Sequence, residues 1–505
     1  MIRLPISQLQ PGMVCAAPVR HAGSDSQVLL KENYPLKPET ISKLAGLGIG
    51  TVWIRHPKFD FLDEQLREDI ALCRAHLHRV VREVFTGVAA RTPGAFDPLQ
   101  CRTAVSNLIM ALLANRKGAV LPERVVDGQQ PLYDHCGNTA YLALVIGLSV
   151  KDYIFAERRF VSYSDATDLS NLGLGAMLHD LGKLGLDGRW QDVHFFDEEA
   201  GLDEYRAHVD RGYRAVQGRI EPTASQTLLH HHQRFDGKGF PEPRARSKEQ
   251  ESKPIAGSAI HVFSRIVSVA NTIDSLIGRC REKRQPTVVA LHEVQKPDFA
   301  GAFDPVVLDA ALRAIQPYPP GTYVELDDGR SAIVTSLRES LPCQPTVCTL
   351  SRPAVRSGPR VEELDLSQAG APKIVRTDGV SVGEAFYVLP EQSLKVNTEM
   401  PEWLRTALDG ESTDVQLDVR REPRRVWVVS ATVKRLSASS KRALTVRTLN
   451  VSRTGVGFIS SEPLGIGERI EFAPTTDPKG ATRVRVVHCA PITQGYQTGC
   501  VFEHR

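Results

Sequence analysis

Residues able to bind a metal fall into five features along the chain: His135, the pair His179-Asp180, His208, the run His230-His231-His232, and Asn271 near Asp274. Neutral imidazole and carboxylate form a mixed ligand set suited to iron, manganese, nickel or zinc. Two such metals, about 3.5–4 Å apart, generate hydroxide and clamp a phosphodiester in line. Asp180 follows the apolar residues Leu172, Met177 and Leu178, and a buried carboxylate there needs a cation or strong hydrogen bonds. Adjacent residues on a helix point about 100° apart, so His179 can face one metal while Asp180 bridges to a second. Taken singly, each feature has a plainer reading. A histidine on an apolar helix is ordinarily a hydrogen-bonded core residue, an isolated His-Asp pair carries little information, and three consecutive histidines also suit a surface tract. The ordered set, with HDLGK at 179–183 and HHHQRFDGKGFP at 230–241, separates this chain from those readings.

These residues lie in text with a helical pattern. His135 opens an apolar stretch with Thr139, Leu142 and Ile146 on its face, and Gly182 is a stop signal after Asp180. The pattern runs from 126 to 317, apart from a loop-rich insert at 235–258 that holds Gly237, Gly239, Pro241, Pro243, Pro254 and Gly257. Upstream, residues 1–58 read as a small α/β unit with strands at Met13–Ala17 and Thr51–Ile54 around a helix near Pro38–Leu47. Residues 59–125 read as a helical connector broken at Pro93-Gly94. Downstream, TYVELDDGRSAIVTSL forms two strands about an Asp328-Gly329 turn, completing a region from 126 to 350. Residues 351–417 read as a mixed linker region with a short strand at Ala385–Val388. From 418 onward five or more strands at close spacing predict a small barrel.

The chain has 505 residues, 62 Lys and Arg against 59 Asp and Glu, and 42% hydrophobic residues, which excludes wholesale disorder. The apolar run Tyr141–Leu148 is far short of the roughly 20 residues of a membrane span. The opening MIRLPISQLQPGM lacks the apolar core of a secretory signal, and a cytoplasmic location is expected. Nine scattered cysteines without a CxxC argue against a disulfide framework and a thiolate zinc site. Residues 418–505 hold 15 basic and 7 acidic residues, a net +8, against 47 basic and 52 acidic, or −5, in the rest.

HDLGK and HHQRFDGKGFP resemble the HD-GYP signatures HDxGK and HHExxDGxGYP. His208 with Gly212 is similar to the family's H-x-x-x-G helix, and FDPVVLDAAL at 303–312 to its closing element. GTYVELDDGRSAIV resembles its trailing hairpin, and ISQLQPGMV the small domain often found ahead of it. This resemblance covers roughly 1–350. It implies an all-helical HD-superfamily phosphodiesterase that hydrolyses cyclic di-GMP at two or three divalent metal ions, iron or manganese. Metal ligands would be His135, His179, Asp180, His208, His231, His232 and Asn271. Asp180 and Lys183 would be catalytic, Lys183 steadying a substrate phosphate, while Gly237, Gly239 and Phe240 with Pro241 would shape the substrate loop.

Four positions depart from the pattern. Gln233 replaces the Glu of HHE, and Phe240 keeps the ring of the motif Tyr without its hydroxyl. VSVANTIDSL resembles VAxVADxxDAL, so Asn271 stands where the family has its final metal-binding Asp. GRCREKRQP lacks the family's Arg-Pro-Tyr, leaving Arg279 or Arg281 for a phosphate contact. An amide oxygen coordinates without charge, so one metal would be held less tightly.

The C-terminal region carries Arg420-Arg421-Glu422-Pro423-Arg424-Arg425 and, further on, Asn450-Val451-Ser452-Arg453-Thr454-Gly455. Arginine offers planar bidentate donors to phosphate and stacks on purines, although such a run alone also suits a solvated linker. Together the segments resemble the PilZ domain, a six-stranded barrel that binds cyclic di-GMP through RxxxR and [D/N]xSxxG. Arg421 and Arg425, or Arg420 and Arg424, match the first motif; Asn450, Ser452 and Gly455 match the second. A nucleic-acid-binding barrel would use aromatic residues as stacking platforms, but core packing accounts for most of Trp427, Phe458, Phe472, Tyr496 and Phe502.

The expected molecule is thus multidomain: a small N-terminal α/β domain, an all-α HD-GYP-like helical domain and a C-terminal PilZ-like β-barrel. It is expected to be a cyclic di-GMP phosphodiesterase with a receptor for the same nucleotide, in contact with other cyclic di-GMP signalling proteins. The alternative is a catalytically impaired effector acting through protein partners. An HD hydrolase for another nucleotide is a third reading, since metal ligands do not choose the base.

Overall fold

The computed structural model describes residues 1–21, 24–47, 49–62, 68–92, 94, 96–114, 131–158, 163–186, 202–242, 254–278, 285–338, 340–350, 362–389, 425–426, 429–436, 443–451, 455–477, 481–492 and 495–503. They divide into two compact units, Met1–Val150 with Leu169–Glu391, and Lys151–Asp168 with Gln392–Arg505.

The first unit opens with β1 (Ile2–Pro5), β2 (Val19–His21), β3 (Ser24–Leu30), α1 (Pro38–Gly46) and β4 (Thr51–Ile54). β1 pairs antiparallel with β4, Ile2 opposite Ile54. The strand expected at Met13–Ala17 is reduced to isolated bridges, Val14 to Pro35 and Cys15 to Ile54. Two helices follow, α2 (Glu68–Ala89) and α3 (Pro98–Ala114), on either side of the predicted break. α4 (Pro131–Ser149) is apolar on nearly every face and correspondingly buried from Cys136 to Gly147. The second unit contributes α5 (Lys151–Glu157) and α6 (Tyr163–Ala166). Around α4 pack α7 (Ser170–Leu178), α10 (Val262–Gly278) and α12 (Pro305–Ala314), while α8 (Asp203–Val216) and α9 (Pro222–His230) pack on each other and α11 (Thr287–Glu293) packs on α10. α8 buries Tyr205, His208, Val209, Gly212 and Val216, the i, i+3, i+4, i+7 stripe of an amphipathic helix. Asp304 caps α12 by accepting from Val306 N at 2.9 Å, with Pro305 at its first position. The same carboxylate forms a buried ion pair with Arg265 of α10.

The predicted hairpin forms as β5 (Tyr323–Leu326) and β6 (Ser331–Ser336), but it belongs to a larger sheet. β7 (Thr346–Thr349), β8 (Glu363–Asp365), β9 (Ile374–Thr377) and β10 (Val380–Ser381) complete six strands in the order β10-β9-β5-β6-β7-β8. The linker reading of 351–417 therefore misses β8, β9 and β10, which are short and only partly buried. No strand forms at Ala385–Val388; there Tyr387 donates its hydroxyl to the Leu312 carbonyl at 3.2 Å. The N-terminal segment, with its strands and helix, packs on this sheet. Ile2, Leu4, Val52, Ile54, Phe59 and Leu62 share one core with Tyr323, Ile333 and Cys348. Arg3 donates its backbone N–H to Gly321 O at 2.8 Å, and its guanidinium pairs with Asp378.

In the second unit β11 (Arg425–Val426), β12 (Ser430–Arg435), β13 (Ala443–Val451), β14 (Gly455–Ser460), β15 (Arg469–Pro474), β16 (Thr482–Ile492) and β17 (Gly495–Phe502) pair antiparallel. The order β13-β12-β15-β16-β17-β14 closes through a β13–β14 pairing, giving a six-stranded barrel with β11 added beside β13. Closure removes the unpaired edges that an open sheet would expose. Its core contains Phe458, Phe472 and Phe502, so these aromatics are packing residues and not exposed stacking platforms.

Candidate metal centre

Five helices of the first unit supply the site. α4 carries His135. His179 and Asp180 leave the end of α7 and lead into the tight turn Leu181–Gly185, which buries Lys183. α8 contributes His208, α9 ends into His231 and His232, and α10 carries Asn271 and Asp274. Gly182 lets the turn lie against α8: a Cβ there would stand 1.9 Å from the His208 carbonyl oxygen and 2.6 Å from Gly212 N. The glycines of HDLGK and of the His208–Gly212 spacing thus serve one backbone contact.

Asp180 lies at the centre. Its Oδ1 faces His208 Nε2 at 3.4 Å and His231 Nε2 at 3.6 Å, while Oδ2 faces His179 Nε2 at 3.4 Å and His135 Nε2 at 3.8 Å. Ligand atoms of Asp180, His208, His231 and His232 lie within 4.8 Å of one another, as do those of His135, His179 and Asp180. The two groups share only Asp180.

The opposite ring nitrogens are fixed. His179 Nδ1 donates to Ala176 O at 2.8 Å, His208 Nδ1 to Tyr205 O at 2.6 Å, and His231 Nδ1 to Leu228 O at 2.9 Å. His135 Nδ1 meets Asp274 Oδ2 at 2.8 Å. A backbone carbonyl only accepts, so in the neutral form of each of those three rings Nε2 carries the lone pair. Burial pushes the His179 imidazole down to about 4 and His208 down to about 3, keeping both neutral. Burial, with His231 and His208, also lowers His232 well below the usual range. His208 Nε2 and His231 Nε2 then present lone pairs to each other at 3.4 Å, an arrangement that calls for a cation. Asp180 Oδ1 and His179 Nε2 are buried and meet no hydrogen-bond partner among the described residues. Donor chemistry and orphaned atoms together fit a cluster that could hold divalent metal.

Lys183 is buried with its Nζ 2.9 Å from Asp180 Oδ2 and 5.2 Å from the Tyr205 ring centre. Burial alone would raise the Asp180 carboxyl, but Lys183 and His179 hold it well below the carboxylate range. Burial would likewise lower Lys183, yet Asp180 raises it. Asn271 is buried on the same face of α10 as Asp274, and its Oδ1 accepts from Ser275 Oγ at 3.3 Å. Asp274 entered the sequence reading only as a neighbour of Asn271; its i+3 spacing is the signal that the two share a face.

The 231–241 loop folds back tightly. Phe240 N donates to His232 O at 3.2 Å, and a Cβ on Gly239 would come within 2.4 Å of that oxygen. Gly237 takes φ of 79°. Gln233 is buried and donates Nε2 to Pro241 O at 2.5 Å, a bond an ionised Glu could not make. The Phe240 ring stacks on His232 with centroids 4.6 Å apart. Arg279 and Arg281 lie outside the described residues.

In the barrel, Arg420, Arg421, Arg424 and Ser452 lie outside the described residues, as do the side chains of Arg425 and Asn450. The backbone nevertheless brings both motifs together, with Arg425 paired to Val451 and Val426 to Asn450. Gly455 faces Val501, and a Cβ there would lie 2.0 Å from Cys500 O, so that glycine has a packing reason of its own.

The HD domain model matches residues 132–276, and the PilZ domain model matches residues 418–505. Cyclic di-GMP phosphodiesterase PA4108 of Pseudomonas aeruginosa is 26% identical over 278 residues, covering 54% of this chain and 60% of that protein. The cyclic di-GMP phosphodiesterase response regulator RpfG of Xanthomonas campestris pv. campestris is 28% identical, covering 28% of this chain and 35% of its own length. A cyclic di-GMP phosphodiesterase of Thermotoga maritima is 26% identical, covering 29% of this chain and 37% of its own. The chain thus spans less than two thirds of each relative. Among solved structures, Bd1817, a HDG"Y"P protein from Bdellovibrio bacteriovorus, aligns at 15% identity and a TM-score of 0.37, covering 62% of this chain and 98% of that one. Among the described residues no single helix is long and apolar enough to cross a membrane. Residues 132–276 thus carry the match to an HD domain and residues 418–505 the match to a PilZ domain.

Proposed function

We propose that this chain is a metal-dependent phosphodiesterase of HD-GYP type that hydrolyses cyclic di-GMP in the cytoplasm, with a PilZ barrel that binds the same nucleotide. The observation that carries the reading is the convergence of His135, His179, His208 and His231 Nε2 on the two oxygens of Asp180. One divalent ion, iron or manganese, would be held by Asp180, His208, His231 and His232, and a second by His135, His179 and Asp180. Metals bound there would supply Lewis acidity toward a phosphodiester and lower the pKa of water.

The chain's own residues prepare the rest. Hydrogen bonds at Nδ1 lock the imidazoles in the tautomer that leaves Nε2 as the donor atom, and Asp274 does the same for His135. Lys183 sets a fixed cation beside Asp180, where its Nζ can meet a substrate phosphate oxygen. Phe240 covers one face of His232 and so limits water on that side. Three relatives that carry the activity in their names support the substrate.

Asn271 favours a second reading, an effector that binds cyclic di-GMP without turnover, because its amide brings no charge to the centre. Hydrolysis by protein reconstituted anaerobically with Fe(II) or Mn(II), beside an Asp180→Ala control, decides between them. Turnover that disappears in the control is expected. Fully metallated protein without turnover, whose nucleotide binding is abolished by Arg421→Ala or Arg425→Ala, would establish the effector instead.

A further inference from the structure

The outer face of the barrel carries a cavity that contains no residue of either PilZ motif. Its volume is about 390 Å³, and Val429, Ser430, Thr445, Arg447, Ile459 and Ser461 line it. β13 buries Leu444, Val446 and Thr448, so Thr445 and Arg447 between them face outward and are exposed. In register, Arg447 stands opposite Ser430 on β12 and Ile459 on β14. Arg435, Arg469 and Arg485 on neighbouring strands each meet a glutamate. Arg447 has no ion pair or side-chain hydrogen bond among the described residues, and no carboxylate lines the cavity. The floor beside it is bare: Gly457 lies opposite Asn450, and Gly499 lies opposite Gly457. Val456 and Phe458 are in the core, so Gly457 belongs to the outer face, next to Ile459 of the cavity. Glycine inside a strand marks a place where a ligand can approach the backbone closely.

We propose that this cavity holds one phosphate, with its ribose, of cyclic di-GMP bound at the PilZ motifs, and that Arg447 is the phosphate contact; the inference rests on the nucleotide-binding reading of the barrel above. A guanidinium offers planar paired donors to a phosphate, and with no carboxylate in the lining the cavity favours an anion. The hydroxyls of Ser430, Thr445 and Ser461 can each donate and accept, which suits the hydroxyl and ring oxygen of a sugar. Val429 and Ile459 give it apolar walls. Arg447 precedes Asn450 by three residues, about 10 Å along the strand, a spacing that a cyclic dinucleotide covers. Val429 follows Arg425 by four residues, and Ile459 follows Gly455 by four. Each strand that carries a motif segment thus continues into the cavity, and the side-chain-free floor at Gly457 joins the two.

The test is calorimetric titration of the full chain with cyclic di-GMP, with chelator present to stop turnover. The binding event that disappears in Arg421→Ala/Arg425→Ala is the barrel's. Arg447→Ala is expected to weaken that event about tenfold or more, with the thermal midpoint unchanged because the side chain is exposed. The loss should shrink at high salt, which screens an exposed charge pair. Arg447→Lys should recover most of it, since lysine still binds phosphate as a point charge. Thr445→Trp, which fills the cavity and alters no charge, should weaken the same event. Unchanged affinity in Arg447→Ala overturns the proposal. A loss that Arg447→Lys does not recover and salt does not reduce would mark a two-pronged contact to a base and overturns the phosphate assignment. If wild type shows no barrel event, the nucleotide-binding reading fails and the inference falls with it; a wild-type event indifferent to both Arg447→Ala and Thr445→Trp overturns the inference alone.

Discussion

Asp180→Asn in metal-free protein tests whether Asp180 and Lys183 are a matched pair. The substitution keeps the side-chain shape and removes the charge. Lys183 Nζ lies 2.9 Å from Oδ2, with the side chains 5% and 1% exposed, so the ammonium would be left buried without its counter-charge. Breaking such a pair costs about 3–5 kcal/mol, whereas replacing both partners with neutral groups of similar volume is often close to neutral. Asp180→Asn with Lys183→Met should therefore regain most of what Asp180→Asn loses, leaving a coupling of roughly 3 kcal/mol. Urea unfolding at pH 7 with chelator present, followed through the helical circular dichroism signal, measures all four corners of the cycle. A double variant as unstable as the sum of its singles would refute the pairing argument. Because Asp180 belongs to both ligand groups, Asp180→Asn reconstituted with Mn(II) should also lose both metals, as read by elemental analysis.

Gln233→Glu restores the family residue yet should destabilise this chain by about 1–3 kcal/mol, because the donor to Pro241 O is lost. That penalty should grow as pH rises above about 4.3, where a free Glu ionises, a trend visible in thermal midpoints. In metal-free protein, His179 and His208 titrate at about 4 and about 3 against about 6.5 when unfolded. The unfolded chain then binds more protons below pH 6.5, so stability should fall as pH drops from 7 toward 4. Gly182→Ala should cost both stability and metal content, since its methyl would meet the His208 carbonyl. Asn271→Asp should tighten metal binding, measurable as a lower Mn(II) dissociation constant; unchanged affinity would remove Asn271 from the ligand set.

Chemistry at the centre was legible because metal ligands need particular residue types at particular helix positions. His135, His179-Asp180, His208 and the 230–232 run stood out by residue type and order; their reading as ligands came from the resemblance to the HD-GYP signatures, and the barrel was expected from closely spaced strands. What the sequence hid was long-range. Nothing local tells that Ile2 and Tyr323 share a core, or that strands as polar as Glu363–Asp365 join a sheet. The stacking of Phe240 on His232 likewise depends on the folded loop. The pairing of Asp274 with His135 joins two helices, so no local spacing shows it. The Gln233 substitution looked like decay of a motif, and its bond to Pro241 is visible only once the loop has folded back.

The core shared by the N-terminal strands and the β5–β10 sheet sets an order of events during synthesis. Leu4, Ile54 and Leu62 leave the ribosome early, but Tyr323, Ile333 and Cys348, which finish burying them, are made only after every helix of the site. Until then the early segment is a half-covered apolar surface, a state prone to wrong association. Ring closure over so long an intervening chain is entropically unfavourable at first and becomes cheaper once the helices have collapsed and shortened the gap. The helical region can therefore assemble first, with β5 and β6 then completing the N-terminal core and Arg3 joining Asp378 as the last tie.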